Sequence, residues 1–239
     1  MIRGFYAAAS GLVAQQTNLN IIANNMANVS TTAFKSQQAS FADLLYENIN
    51  GTMEPVSCGS GVRIGGTATD FTQGDLSKTD IKMDCALLGP GFFAIEDKQT
   101  AAISYTRDGS FRIGLDGTST YLVNSAGDYV LDEGNKKIAL TKDALSGELV
   151  YDPSKIGIFS ISNPYALRQI GGNNYIAGAD VGKIEKSLNT EIHSGYLETS
   201  SVDISREMVK VIEASKAFSF NSRIIQTADE IEKTINQLR

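Results

Sequence analysis

His193 is the single histidine of this 239-residue chain and lies in the run Ile192–His193–Ser194–Gly195. Imidazole is the side chain best suited to moving protons near neutral pH. A working site also needs a nucleophile or a second titratable group held within reach of it. Nothing beside His193 supplies one, and a Gly-x-Ser-x-Gly nucleophile elbow is absent. His193 therefore reads as a loop or packing residue. The carboxylates are dispersed. Their one local cluster, Asp229, Glu230 and Glu232, has Arg223 and Lys233 nearby and reads as a charge-balanced, solvated face. A glycosidase-like carboxylate pair stays open, although nothing points to one.

The two cysteines, Cys58 and Cys85, are far apart and lack a Cys-x-x-Cys or Cys-x-x-His context. A structural zinc site needs about four ligands, so a cysteine-based one is excluded. Two unpaired, small apolar side chains is the simpler reading; the spacing does not decide whether they form a disulfide. The run Gly59–Ser60–Gly61–Val62–Arg63–Ile64–Gly65–Gly66 matches neither a dinucleotide-binding fingerprint nor a phosphate loop with its Gly-Lys-Ser/Thr. Asp116–Gly117–Thr118 resembles a fragment of a calcium loop but lacks the later ligands, and reads as a hairpin turn. No catalytic, cofactor or metal site is expected.

Composition narrows the remaining classes. A formal net charge of -6 and a pI of about 4.9 argue against a general nucleic-acid partner. No run reaches the ~18 apolar residues of a membrane span, so no membrane insertion is expected. The first twenty residues turn polar too soon for a cleaved secretory signal.

Without a reaction to position, the elements themselves carry the information. Residues 1 to about 30 read as a helix. Phe5, Leu12, Leu19 and Met26 recur every seven residues, with Ala8, Ile22 and Val29 between them, as an apolar seam. The opposite face holds Thr17, Asn18, Asn20, Asn24, Asn25 and Asn28, and no carboxylate precedes Asp43. An uncharged polar face suits burial against other protein, where amides hydrogen-bond and charges would cost desolvation. An amide-rich but otherwise ordinary amphipathic helix fits the same pattern.

From Asp203 to Arg239 a second, longer helix is expected, uninterrupted by Gly or Pro. Ile204, Met208, Val211, Phe218, Ile225, Ala228, Ile231, Ile235 and Leu238 recur at helical spacing. Ser200 or Asp203 can cap its start. At 1.5 Å per residue it would extend roughly 55 Å, too far for the rest of the chain to cover. The terminal helices are expected to pair as a coiled coil, with the unmatched length left to neighbouring molecules.

Between them, from about Asp70 to Tyr196, short β-like runs alternate with turns such as Asp108–Gly109 and Asp116–Gly117. The fold class is therefore α+β: long terminal helices with an inserted all-β domain of antiparallel hairpins. The expected division is 1–35, N-terminal helix; 36–73, extended connector; 74–196, β domain; and 197–239, C-terminal helix. The Gly- and Ser-rich stretch 47–66 reads as an extended connector or mobile loop.

The terminal stretches Ser10–Lys35, with Ala23–Lys35 at its core, and Gly195–Ile231 resemble the axial proteins of the bacterial flagellum, the rod and hook proteins. Gly74–Asp80, Gly89–Ile95 and Tyr105–Phe111 (Tyr-Thr-Arg-Asp-Gly-Ser-Phe) are similar to the family's shared β domain. The order is the family's, and the likeness covers most of the chain. It is closest to the distal and proximal rod members that carry the β domain. Ala33 stands where the family most often has Gly, which predicts a common backbone conformation at that turn.

The resemblance implies a non-enzymatic structural subunit of the rod. Terminal helices would line a hollow helical tube that transmits torque and conducts exported subunits. The implied partners are further copies of the chain as a helical homopolymer, other flagellar rod and hook subunits, and the flagellar export apparatus, with export to the basal body without a cleaved signal. A hook-like axial component is the alternative; a secreted enzyme is the more distant one. The expected assembly interface takes Leu12, Leu19, Ile22, Asn24, Asn25, Met26 and Asn28 from the first helix, and Thr32 and Phe34 from the motif after it. Val202, Met208, Val211, Phe218, Ile225, Ile231 and Ile235 complete it from the C-terminal segment.

Overall fold

A computed structural model describes residues 2–49, 56–117, 119–142, 149–187 and 190–238. The chain divides into two units, one of Met1–Val29, Ser36–Asp70 and Val202–Arg239, the other of Ser30–Lys35 and Phe71–Ser201.

The first unit is helical, with a β ribbon. Helix α1 spans Ile2–Ala27 and helix α2 spans Ile204–Gln237. Asp203 caps α2, its carboxylate accepting from the backbone N–H groups of Ser205 and Arg206, which satisfies two of the donors a helix start leaves orphaned. The helices pack side by side, as the sequence pattern implies. Between them in sequence lie β1 (Gln37–Asp43), β2 (Tyr46–Ile49), β3 (Val56–Gly59) and β4 (Val62–Thr69). β1 pairs antiparallel with β4 from Gln37–Thr69 to Asp43–Val62, and β2 with β3.

The stretch read as a connector or mobile loop is thus a paired ribbon over its described residues; 50–55 lie outside them. A two-stranded ribbon is marginal by itself, and here α1 supports it. The Val62 N–H donates to the Ser10 hydroxyl at 3.3 Å. Gly61, at φ 123°, lies so close to α1 that a Cβ there would overlap the Ser10 hydroxyl. The glycines that suggested looseness are what allow this approach.

The second unit is all β. Its strands are β5 (Leu76–Lys78), β6 (Cys85–Leu88), β7 (Phe92–Glu96), β8 (Ile103–Thr106), β9 (Arg112–Asp116), β10 (Ser119–Val123), β11 (Tyr129–Val130), β12 (Ala139–Lys142), β13 (Leu149–Val150), β14 (Ile158–Ile161), β15 (Leu167–Gly171), β16 (Asn174–Ala177), β17 (Ile184–Lys186), β18 (Glu191–Ser194) and β19 (Tyr196–Glu198). The main sheet runs β13-β12-β10-β11-β7-β8-β16-β15, with β9 on β10, and β14 bridging β7 and β17. β5 pairs with β19, and β6 with β18. Every pairing is antiparallel, and β9 and β10 meet at the expected turn, of which Thr118 lies outside the described residues.

β7 shows why Phe92–Phe93–Ala94–Ile95 is an unbroken apolar run. Phe93 and Ile95 enter one buried cluster with Leu122, Val130 and Ile158; Phe92 and Ala94 enter another with Tyr105, Leu131 and Tyr175. A strand covered on both faces loses the polar alternation of a half-exposed one.

The turn at Ala33 departs from expectation. Ala33 is buried and adopts φ 54°, the left-handed conformation usual for Gly. Its N–H donates to the Glu198 carbonyl at 2.9 Å. That bond and the packing around its methyl group hold a conformation that costs an L-residue roughly 1–2 kcal/mol.

Candidate assembly interface

The seam between α1 and α2 is narrower and more polar than the heptad of large residues suggests. On α1 the buried side chains are Ala8, Ala14, Ile22 and Asn25; on α2 they are Glu207 and Ala214. Gly11 lies against Asn221, where an added Cβ would meet the amide nitrogen at 2.7 Å. Small residues at a crossing let helix backbones come close, which displaces the larger stripe sideways. Leu12, Leu19 and Met26 are half-buried, and Phe5 is exposed. Of the expected interface on α2, Val211 and Ile225 are half-buried at the seam, while Met208, Phe218, Ile231 and Ile235 are exposed.

Further exposed apolar side chains were not anticipated: Tyr6, Val13, Leu45, Val209, Ile212, Phe220 and Ile224. A single apolar stripe accounts for one face of each helix, whereas α2 carries apolar residues on both its inner and outer faces. Large contiguous apolar surface marks an interaction face, and the helical unit presents it along much of α2.

The amide face divides. Asn24 is exposed, and the half-buried Asn28 folds back on it, donating from Nδ2 to the Asn24 carbonyl at 2.9 Å. Asn25 is fully buried and satisfied within its own unit. Its Nδ2 donates to the Gln37 carbonyl at 2.8 Å, and the Gln37 N–H donates to its Oδ1 at 2.9 Å. The same Nδ2 lies 3.3 Å from the Glu207 carboxylate, which also holds Lys210 at 2.6 Å. Asn25 is therefore a latch joining α1, β1 and α2.

Thr32 and Phe34 belong to the β unit. Phe34 is buried, and its carbonyl accepts from the Ser201 N–H. The Thr32 hydroxyl donates to Asp108 at 3.3 Å, and Asn173 donates to the Thr32 carbonyl at 2.7 Å. Val202 is buried at the entry to α2.

A charge cluster that the sequence reading missed lies in the β unit. Lys35 and Glu198 are both fully buried and meet at 2.5 Å. Lys35 also donates to the Thr72 carbonyl at 2.7 Å, and Glu198 accepts from the Gly74 N–H at 2.8 Å. Arg107 reaches Glu198 at 3.5 Å, donates to the Gly89 carbonyl and lies over the Phe92 ring. These ionic residues come from three of the five quoted stretches: Lys35 ends Ser10–Lys35, Arg107 lies in Tyr105–Phe111, and Glu198 in Gly195–Ile231. The available signal was a charged residue in each motif whose partner lies far away in sequence.

His193 packs edge-on against Tyr196. Cys58 and Cys85 are free thiols. Burial pushes the Cys85 thiol up to about 11, against the pull of the Tyr151 hydroxyl 2.8 Å away, so it is no thiolate nucleophile at neutral pH. Asp229 pairs with Lys233 at 2.7 Å and raises its pKa. Among the described residues, no cluster of three His, Cys, Asp or Glu is placed to hold a metal, and no helix is long and apolar enough to cross a membrane.

Three family descriptions match the chain: flagella basal body rod protein over residues 5–35, the D1 domain of flagellar hook protein FlgE/F/G over 86–163, and the C-terminal region of flagellar basal body rod FlgEFG proteins over 193–238. The flagellar basal-body rod protein FlgG of Buchnera aphidicola subsp. Acyrthosiphon pisum is 33% identical over 264 residues, covering 100% of both chains. FlgG of Borreliella burgdorferi is 34% identical over 267 residues, covering 100% of this chain and 99% of the relative. The flagellar hook protein FlgE of Helicobacter mustelae is 36% identical over 127 residues, which covers 49% of this chain and 28% of the hook protein.

Proposed function

The chain belongs to the flagellar basal-body rod and hook family, and on that premise we propose that it is a structural subunit of the rod. It polymerises through the helical unit into a hollow helical tube that transmits torque and conducts exported subunits. The observation that carries this reading is the uncovered apolar surface of α2, exposed at Met208, Ile212, Phe220, Ile224, Ile231 and Ile235. Such a surface calls for protein neighbours. Non-closing contacts between unlike patches of identical subunits generate open helical polymers.

The rod is favoured over the hook by length. Rod relatives align across the whole chain, whereas the hook relative shares about half of it. Among the described residues no nucleophile–base pair supports an enzymatic role. The partners are copies of the chain, adjoining rod and hook subunits, and the flagellar export apparatus; no role for nucleic acid is proposed. The subunit works in the basal body. Deleting the gene tests the reading: cells should lose motility, and their basal bodies should carry a truncated rod. Motile cells with full-length rods would refute it.

A further inference from the structure

In the β unit, strand β9 pairs with β10 along one edge and, among the described residues, carries no strand along the other. Its residues are Arg112, Ile113, Gly114, Leu115 and Asp116. Ile113 stands opposite Leu122 of β10, and the Leu122 N–H donates to the Ile138 carbonyl, on the side away from β9. Ile113 and Leu122 are therefore a pair without mutual hydrogen bonds, and the N–H and C=O of Ile113 turn outward. Two residues on, those of Leu115 do the same. An edge with such unpaired groups is a template for another strand.

The side chains on this edge are apolar on one face and charged on the other. Ile113 and Leu115 share the face of the buried Leu122, yet both are exposed, Leu115 to 77%. Arg112 and Asp116 lie on the opposite face, one near each end of the strand, and both are exposed. Among the described residues no carboxylate pairs with Arg112. Asp116 accepts from the Tyr129 hydroxyl at 2.7 Å and lies 3.9 Å from Lys98. A carboxylate has about four acceptor positions, so these two contacts leave room for a further donor.

We propose that β9 pairs antiparallel with β9 of a second copy of the chain, about a two-fold axis at Gly114. Ile113 of each copy faces Leu115 of the other, N–H to C=O in both directions, and their side chains meet on the apolar face. Arg112 of each copy faces Asp116 of the other on the opposite face. The order of charges thus makes the strand complementary to itself when reversed, whereas like charges directly opposite would repel. The charges also select the register. Only the outward-facing residues can bond across the edge, so the neighbouring registers place the axis at Ile113 or at Leu115. The first sets Gly114 opposite Arg112 and the second sets it opposite Asp116, and both lose the ion pairs. The sheets of two chains join into one by strand addition. A two-fold contact closes on itself, so it joins free chains in pairs and does not propagate, unlike the open contacts of a rod. The inference does not rest on the rod reading.

Disulfide trapping with the purified full-length chain tests this. Every chain carries Cys58→Ser; Cys85 has no exposed surface and is kept. Arg112→Cys and Asp116→Cys are made in separate chains. In the proposed pair these positions face each other without hydrogen bonds between them, with Cα atoms about 4.5 Å apart, within disulfide reach. The Arg112 and Asp116 that remain still pair. Two copies of the same substitution lie four residues apart along the strands, about 13 Å, beyond that reach. On mild oxidation the equimolar mixture should gain a species of twice the 25.6 kDa chain, and either chain alone should stay monomeric. A chain with both substitutions should give the same dimer and nothing larger. If Asp116→Cys fails to fold by circular dichroism, Ile113→Cys and Leu115→Cys, which also face each other, take the place of the pair. No dimer from the mixture, as much dimer from a single variant as from the mixture, or a ladder from the doubly substituted chain would overturn the inference. No rod is involved, so each of those results leaves the rod reading standing.

Discussion

Asn25 binds Gln37 through both ends of its side-chain amide, donating to the carbonyl at 2.8 Å and accepting from the N–H at 2.9 Å. A helix side chain thus does for the first residue of β1 what a neighbouring strand would do. Glu207 of α2 touches the same amide at 3.3 Å, so one buried residue ties three segments together.

Replacing that amide should damage the helical unit itself. Asn25→Ala leaves the Gln37 backbone groups without their partners, at about 1–3 kcal/mol. Asn25→Asp should cost more, because a carboxylate cannot donate to the Gln37 carbonyl and would sit unpaired beside Glu207. Urea denaturation followed through α1 and α2 checks the order. Equal stability of Asn25→Asp and wild type would show that the latch is not formed.

The buried pair of Lys35 and Glu198 predicts strong coupling. Glu198→Gln removes the buried carboxylate that Lys35 and Arg107 share, and should destabilise the β unit by about 3–5 kcal/mol. Lys35→Met should be similarly harmful. The double variant should lose less than the sum of the two, since it removes both members of the pair. Additive losses in that cycle would mean the two charges do not interact.

Ala33→Gly should stabilise the β unit. The left-handed backbone at φ 54° costs Ala roughly 1–2 kcal/mol, and the extra unfolded-state freedom of Gly takes back about 0.5–1 kcal/mol. A net gain of up to about 1 kcal/mol should appear as a higher melting temperature. A fall would show that the Ala33 methyl group is worth more in packing than the strain it causes.

Much of the architecture was legible in the sequence, and the reason lies in particular residues. The uninterrupted run after Asp203 and the Asp116–Gly117 turn are local signals, and both landed where the pattern put them, whereas Asp108–Gly109 joins β8 to β9, which pair with other strands. What was not legible depends on distance. Heptad spacing marked Phe5, Leu12 and Leu19 as the seam, but the true seam is chosen by how closely two backbones can approach, at Gly11 and Ala14. Lys35, Arg107 and Glu198 were visible within their motifs, yet their shared role is a contact across 163 residues in the case of Lys35 and Glu198. Thr32 and Phe34 were read with the helix because they follow it directly; their packing assigns them to the β unit.

High pH should weaken the β unit in a defined window. Burial raises Cys85 from 9.0 to about 11 and Tyr175 from 10.0 to about 12. Both groups are neutral when protonated, and the folded state holds those protons more tightly. Their stabilisation is complete below pH 9 and is lost as pH rises through 9 to 12. Denaturation midpoints measured from pH 8 to 11 should fall progressively, and Cys85 should resist maleimide at pH 7 while Cys58 reacts. Rapid labelling of Cys85 in the native protein would contradict its burial.

The central claim is that the helical unit exists to be covered by copies of itself in the rod. A density map of isolated basal bodies, resolved well enough to trace helices, measures this directly. The account predicts that the chain lies in the rod as an open helical array, with the exposed faces of α2 at Met208, Ile212, Phe220, Ile224, Ile231 and Ile235 buried against neighbouring helices. A rod without this chain, or one in which those side chains face solvent, would contradict it.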